Sequence, residues 1–102
     1  MRLLSSMEEN NYTVKLFNVL HNSNWNSERQ HLFLVMNYIE QDLGILLKKK
    51  PDNFDQNHLN TLVYNLLCAI NFIHSANIIH RDLKPNNILF TENCRIVICD
   101  FG

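Results

Sequence analysis

A chain of 102 residues with 46% apolar side chains can form one small domain or part of one, and no more. Nine basic and ten acidic residues leave a formal charge of -1, which excludes the broad positive field that holds nucleic acid or an anionic membrane surface. Cys68, Cys94 and Cys99 lack the spacing of a disulfide framework, and no apolar run approaches the roughly 20 residues that cross a bilayer, so an intracellular chain with no membrane or nucleic-acid partner is expected.

Residues 1 to 7 read as the last turns of a helix that begins earlier, because no capping residue or first-turn acid precedes Leu3 and Leu4. Tyr12 to Leu20 and His31 to Tyr38, rich in Val, Leu and Phe, are predicted as two antiparallel strands joined by the polar run HNSNWNSER. Glu40 to Asp42 is predicted to turn the chain into a short helix, Leu43 to Lys50, which Pro51 ends. From about Asp55 to Ala76, apolar residues at 59, 62, 63, 66, 67, 70 and 73 make one wide helical stripe, with Asp55 as N-cap. Ile78 and Ile79, a polar loop with Pro85, the run Ile88 to Phe90, a turn at Thr91 to Asn93 and a strand from Arg95 to Cys99 follow. A long helix feeding small hairpins is an α+β arrangement.

Residues 80 to 87 read HRDLKPNN and residues 100 to 102 read DFG. Together they resemble the catalytic and magnesium loops of protein kinases. At about 5% per residue type, seven specified positions coincide by chance with odds on the order of one in a billion. Moving a γ-phosphoryl group needs a carboxylate to orient the attacking hydroxyl and oxygen-ligated magnesium to spread the phosphate charge. The resemblance implies Asp82 as the base, Asn87 and Asp100 as the metal ligands, and ATP with Mg2+ as the cofactors. It implies that Lys84 reaches the transferring phosphate, as in serine/threonine kinases, and that Arg81 pairs with a phosphorylated residue of an activation loop.

LVMNYIEQDL resembles the hinge of mitogen-activated protein kinases and NFIHSANIIHRDLKP their helix and catalytic loop, while Cys99 stands where cyclin-dependent kinases usually have alanine. The match implies a fragment of the bilobal kinase fold, divided into residues 1–36 (end of a helix and N-lobe strands), 37–42 (hinge) and 43–102 (start of the C-lobe). It also implies Met36 as gatekeeper, Asn37 and Ile39 as hinge backbone partners of adenine, and Leu89 as the floor beneath its ring. Leu4, His80 and Phe101 would form a stacked apolar spine. The glycine-rich loop and strand lysine are expected before Met1, and the activation segment and further helices after Gly102, which leaves the long helix's stripe partly exposed.

The expected activity is ATP-dependent phosphorylation of Ser or Thr on protein substrates under the control of upstream kinases, in the cytoplasm or nucleus. The alternatives are a cyclin-dependent-like parent and a non-catalytic, partner-binding truncation. Cys94 and Cys99 are expected to be structural, because residues five apart on a strand point to opposite faces. His21, His31, His58 and His74 are expected at the surface or at helix ends, and Lys48 to Lys50 at a solvated helix end. Trp25 is expected to lie over nearby apolar surface.

Overall fold

A computed structural model describes residues 11–22, 31–49, 51–52 and 54–102. The expectations for residues 1 to 7, Trp25 and most of the HNSNWNSER run lie outside the described residues. The elements in order are β1 (Leu16–His21), β2 (Leu32–Met36), β3 (Gln41–Asp42), α1 (Leu43–Lys49), α2 (Gln56–Ser75), a 3-10 turn (Pro85–Asn87), β4 (Ile88–Phe90) and β5 (Ile96–Ile98). The fold is α+β, as the pattern predicts.

β1 and β2 form an antiparallel hairpin whose register runs from Leu16 opposite Met36 to His21 opposite Leu32, with a bulge between Leu16 and Asn18. Both strands are apolar on both faces, and Phe17, Leu20, Leu32 and Phe33 are each more than half exposed. A strand with that pattern is suited to cover on both sides.

The expected single strand from Tyr12 to Leu20 is two pieces. Tyr12 to Val14 leaves the hairpin and lies parallel to β5: Val14 N donates to Ile98 O at 3.2 Å, and Ile98 N donates to Tyr12 O at 2.7 Å. The division follows burial, since Thr13 and Val14 are buried while β1 is mostly exposed. The expected turn from Glu40 to Asp42 is also different. Gln41 and Asp42 are extended and pair with Phe90 and Leu89, which makes β3 the first strand of a β3-β4-β5 sheet.

α2 begins and ends as its sequence dictates. The Asp55 carboxylate accepts from His58 N at 2.9 Å, satisfying one of the free first-turn donors. At the other end Asn77 adopts φ 56°, its N–H reaches His74 O, and the Ile78 N–H reaches Ile73 O. That pair of bonds is a Schellman closure, with asparagine in the left-handed position more often held by glycine. It reverses the chain toward His80.

The core lies between α2 and the three-stranded sheet. Leu62, Ala69 and Ile73 of α2 meet Ile88, Phe90, Ile96 and Ile98, and Leu43 of α1 completes the cluster. Asn65 Nδ2 donates to Cys94 O at 2.8 Å, tying the helix to the β4-β5 turn. The rest of the stripe is less covered: Leu59, Val63 and Leu67 remain exposed, as expected from the sequence. The sheet and the Schellman turn together present one edge on which the polar loop 80–87 and the residues after β5 converge.

Candidate active site

His80 is the hinge pin of this edge. It is buried, and its ring packs on Phe101 with centroids 4.6 Å apart. Nε2 contacts Cys99 O at 2.7 Å, and Nδ1 accepts from Asp82 N at 3.1 Å. A carbonyl can only accept and a backbone N–H can only donate, so these partners assign the neutral tautomer with the proton on Nε2. His80 O accepts from Gly102 N at 2.9 Å. One buried ring and its carbonyl thus fasten residues 80–82 to residues 99–102. Leu4, expected to stack with His80 and Phe101, is outside the described residues.

Asp82, Lys84 and Asn87 come together. Lys84 Nζ stands 3.0 Å from Asp82 Oδ2, and Asn87 Nδ2 donates to Asp82 O at 2.9 Å and to Asp82 Oδ2 at 3.2 Å. The Lys84 ammonium holds the Asp82 carboxyl below its ordinary value, desolvation opposes it, and the Asn87 amide lowers it further. Asp82 is therefore an anion near neutral pH, the form a proton acceptor needs.

The 3-10 turn carries Asn87 into place. Lys84 is extended, Pro85 starts the turn with its fixed φ, and Asn87 N donates to Lys84 O at 2.9 Å. Asn87 is itself buried, and its carbonyl accepts from Cys99 N at 3.0 Å and from Cys99 Sγ at 3.5 Å. Asp100 follows directly with φ 53° and an exposed side chain. Burial, with the neighbouring Asp100 and Asp42 carboxylates, pushes the Cys99 thiol up to about 11. The thiol is accordingly a neutral packing group, in keeping with a structural role.

Arg81 also has a left-handed backbone, φ 69°, and its guanidinium donates to Gly102 O. The strained residues Arg81 and Asp100 thus flank the cluster from its two strands of chain, a position where strain is commonly held by surrounding bonds.

The residues expected to receive adenine form a second group. Met36 ends β2 opposite Leu16 and is 40% exposed. Asn37 clasps Lys15: its N–H donates to Lys15 O at 3.2 Å, and its Oδ1 accepts from Lys15 N at 2.6 Å. The Asn37 N–H is therefore occupied within the chain. Ile39 is half-buried and lines a shallow cavity of about 220 Å³ together with Tyr38, Glu40, Gln41, Phe90, Thr91 and Glu92. Leu89, half-buried in β4, pairs with Asp42 on one side and Val97 on the other, which connects β3 to the strand that follows Asn87.

An amide oxygen and a carboxylate suit a hard cation such as Mg2+. Asn87 Nδ2 is committed to Asp82, which leaves Oδ1 as the side-chain atom not engaged with Asp82. Among the described residues no trio of His, Cys, Asp or Glu converges as a metal cage.

Two features were not read from the sequence: the double hydrogen bonding of His80, and the close approach of α1 to Asn86. A histidine two residues before Asp82 was a signal for the first. A glycine in the first turn of a helix was the signal for the second.

A protein-family profile described as "Protein kinase domain" matches residues 1–102. Among curated proteins, the mitogen-activated protein kinase mpkC of Neosartorya fischeri is 45% identical over 76 residues, which is 74% of this chain and 20% of that protein. The mpkC of Aspergillus niger is 46% identical over 76 residues, covering 74% of this chain and 19% of that protein. Mitogen-activated protein kinase 13 of Oryza sativa subsp. indica is 43% identical over 75 residues, covering 74% and 15%. The chain spans about a fifth of the length of these relatives.

Proposed function

Since this chain belongs to the protein kinase domain family, we propose that it supplies the hinge and the catalytic loops of a mitogen-activated-type kinase that phosphorylates Ser or Thr on protein substrates. The observation that carries this reading is the contact set of Asp82 with Lys84 and Asn87. Asp82 accepts the proton of the incoming hydroxyl, and its lowered carboxyl value keeps it ready to do so. Lys84 stands beside it as a cation for the transferring phosphoryl group, and a lysine at this position resembles serine/threonine kinases. Asn87 and Asp100 hold Mg2+, which when bound neutralises the phosphate oxygens of ATP.

Met36, Asn37, Ile39 and Leu89 receive adenine, with the Asn37 carbonyl and the Ile39 backbone as its polar partners. The occupied Asn37 N–H leaves the carbonyl as the group for that contact. Arg81 is the receiver for a phosphate placed on the protein by an upstream kinase, exchanging its Gly102 partner for it. No helix among the described residues is long and apolar enough to cross a membrane.

The test is phosphorylation of a generic protein substrate by the full-length kinase that carries this segment, followed by phosphoamino-acid analysis. Phosphoserine or phosphothreonine that depends on Mg2+ and ATP is expected. Phosphotyrosine alone would overturn the Ser/Thr assignment, and no transfer with intact Mg-ATP binding would overturn the catalytic one.

A further inference from the structure

Lys15 and Asn37 stand where the β1-β2 ladder would continue, next in register after Leu16 opposite Met36. Facing residues at a hydrogen-bonded position of an antiparallel pair exchange two main-chain bonds, each N–H donating to the other's carbonyl. Lys15 and Asn37 keep only half of that exchange. Asn37 N donates to Lys15 O at 3.2 Å, but Lys15 N donates at 2.6 Å to Asn37 Oδ1 in place of the main-chain oxygen. A backbone N–H can only donate, so the amide atom it meets is the oxygen. The side chain has taken the bond that its own carbonyl would otherwise accept. Among the described residues no main-chain donor reaches that carbonyl.

The anchor is firm. Lys15 follows directly on Val14, which is buried and whose N–H donates to Ile98 O, while Ile98 N returns to Tyr12 O. Asn37 is thus gripped through its N–H and through Oδ1 by one residue that is itself tied to the three-stranded sheet. With N and Cβ of Asn37 both held, the tetrahedral Cα leaves the Cα–C bond a single direction, and ψ is the one soft dihedral left to orient the carbonyl.

We propose that the Asn37 side chain is a specificity-determining positioning group: by standing in for its own carbonyl in the ladder, it leaves that carbonyl free to accept from the exocyclic amine of adenine. The inference rests on the reading of Asn37 as a partner of adenine, and adds what makes the carbonyl available and which bases it favours. The exocyclic amine of adenine is a donor, whereas guanine presents an acceptor oxygen at the same place. An unspent carbonyl oxygen gains a bond from the first and is left unpaired by the second.

In the full-length kinase, equilibrium binding of ATP would be compared with that of purine riboside triphosphate, which is ATP without the amine, both with Mg2+. Asn37→Ala removes Oδ1, and Lys15 N then turns to the main-chain carbonyl and closes the ladder. This variant is expected to bind ATP about tenfold more weakly, the upper scale for one neutral hydrogen bond, and the amine-free nucleotide within about twofold of the unmodified kinase. Asn37→Asp, which keeps an acceptor at Oδ1, is expected to keep the unmodified ratio between the two nucleotides. Asn37→Leu, closer in volume to the native residue, reads the same ratio if the alanine variant fails to fold. Equal weakening of both nucleotides when Oδ1 is removed would mean that the side chain only braces the chain, and would overturn the proposal. Unchanged ATP affinity would overturn it equally, as would an Asn37→Asp variant that loses the ratio. If the unmodified kinase bound the two nucleotides alike, the adenine reading itself would fall and the proposal with it, an outcome distinct from the others.

Discussion

Asn87 holds Asp82 at two points, its Nδ2 reaching both the main-chain oxygen and Oδ2 of the carboxylate. The residue assigned to the metal thereby also orients the residue assigned to the hydroxyl. Positioning of one depends on the other, although four residues, one of them a proline, lie between them.

Asp82→Asn in the full-length kinase is expected to lower kcat by 10²- to 10⁴-fold, the usual contribution of a positioned base. The amide keeps the shape and a hydrogen bond to Asn87 but cannot take a proton. Mg-ATP affinity is expected to stay within about twofold, because in the proposed role the carboxylate orients substrate and does not hold the metal. Steady-state kinetics with a parallel nucleotide titration decide it. Near-normal turnover would remove Asp82 from its role.

Replacing Lys84 by Met is expected to shift the acid limb of the rate profile upward. The Lys84 ammonium is the largest cause of the lowered Asp82 carboxyl, so its loss lets that value rise toward the ordinary one of 3.8. With a depressed folded value, the pair contributes fully above the unfolded carboxylate value and fades as pH falls through the folded one. A kcat/KM profile over the acid range would show the limb move. An unmoved limb with reduced plateau would mean that Lys84 acts on phosphate only.

Asp100→Asn is expected to weaken Mg2+-dependent nucleotide binding by removing a charged ligand. Asparagine is the informative substitute, because Asp100 sits at φ 53° and Asn tolerates that region better than Ala. Isothermal titration with and without Mg2+ separates the metal-dependent part. Equal affinities in the two proteins would count against Asp100 as a ligand.

Much of this site could be read along the chain because its signals are local. The α2 stripe and the Asp55 cap depend on residues three and four apart, and both stand where the spacing puts them. Asp82, Lys84 and Asn87 lie within six positions, so one loop suffices to bring them together. What sequence could not show were the long-range pairings. Tyr12 to Val14 looks like the start of β1, yet pairs with Ile98 some 85 residues away on the order of chain length, because a parallel partner leaves no local trace. Gln41 and Asp42 are polar and short, so nothing in them announced a strand until Phe90 and Leu89 stood opposite. The Schellman turn at Asn77 was hidden for another reason: its usual glycine is absent.

His80→Ala is expected to destabilise the kinase by about 3 kcal/mol, combining a cavity beside Phe101 with two backbone groups left unpaired. Cys99 O and Asp82 N are those groups. Denaturant unfolding gives the loss, and kcat is expected to fall with it, since Asp82 is no longer held by its own N–H. A stable variant with full activity would show that the ring merely fills space.

The 102-residue chain by itself is expected to show no kinase activity. Its two glycines, Gly44 and Gly102, are 58 positions apart, so no glycine-rich loop to cover the phosphates lies within it. Catalysis of this kind is mostly positioning and electrostatics, and both are lost when ATP is clamped from one side only. The exposed faces of the β1-β2 hairpin and the uncovered part of α2, with Leu67 62% and Phe17 64% exposed, add a tendency to self-associate. Size-exclusion chromatography and a radiolabelled transfer assay on the purified chain test both statements. Transfer by a monomeric preparation, abolished by Asp82→Asn in the same chain, would show that the loop cluster from His80 to Gly102 performs the chemistry unaided.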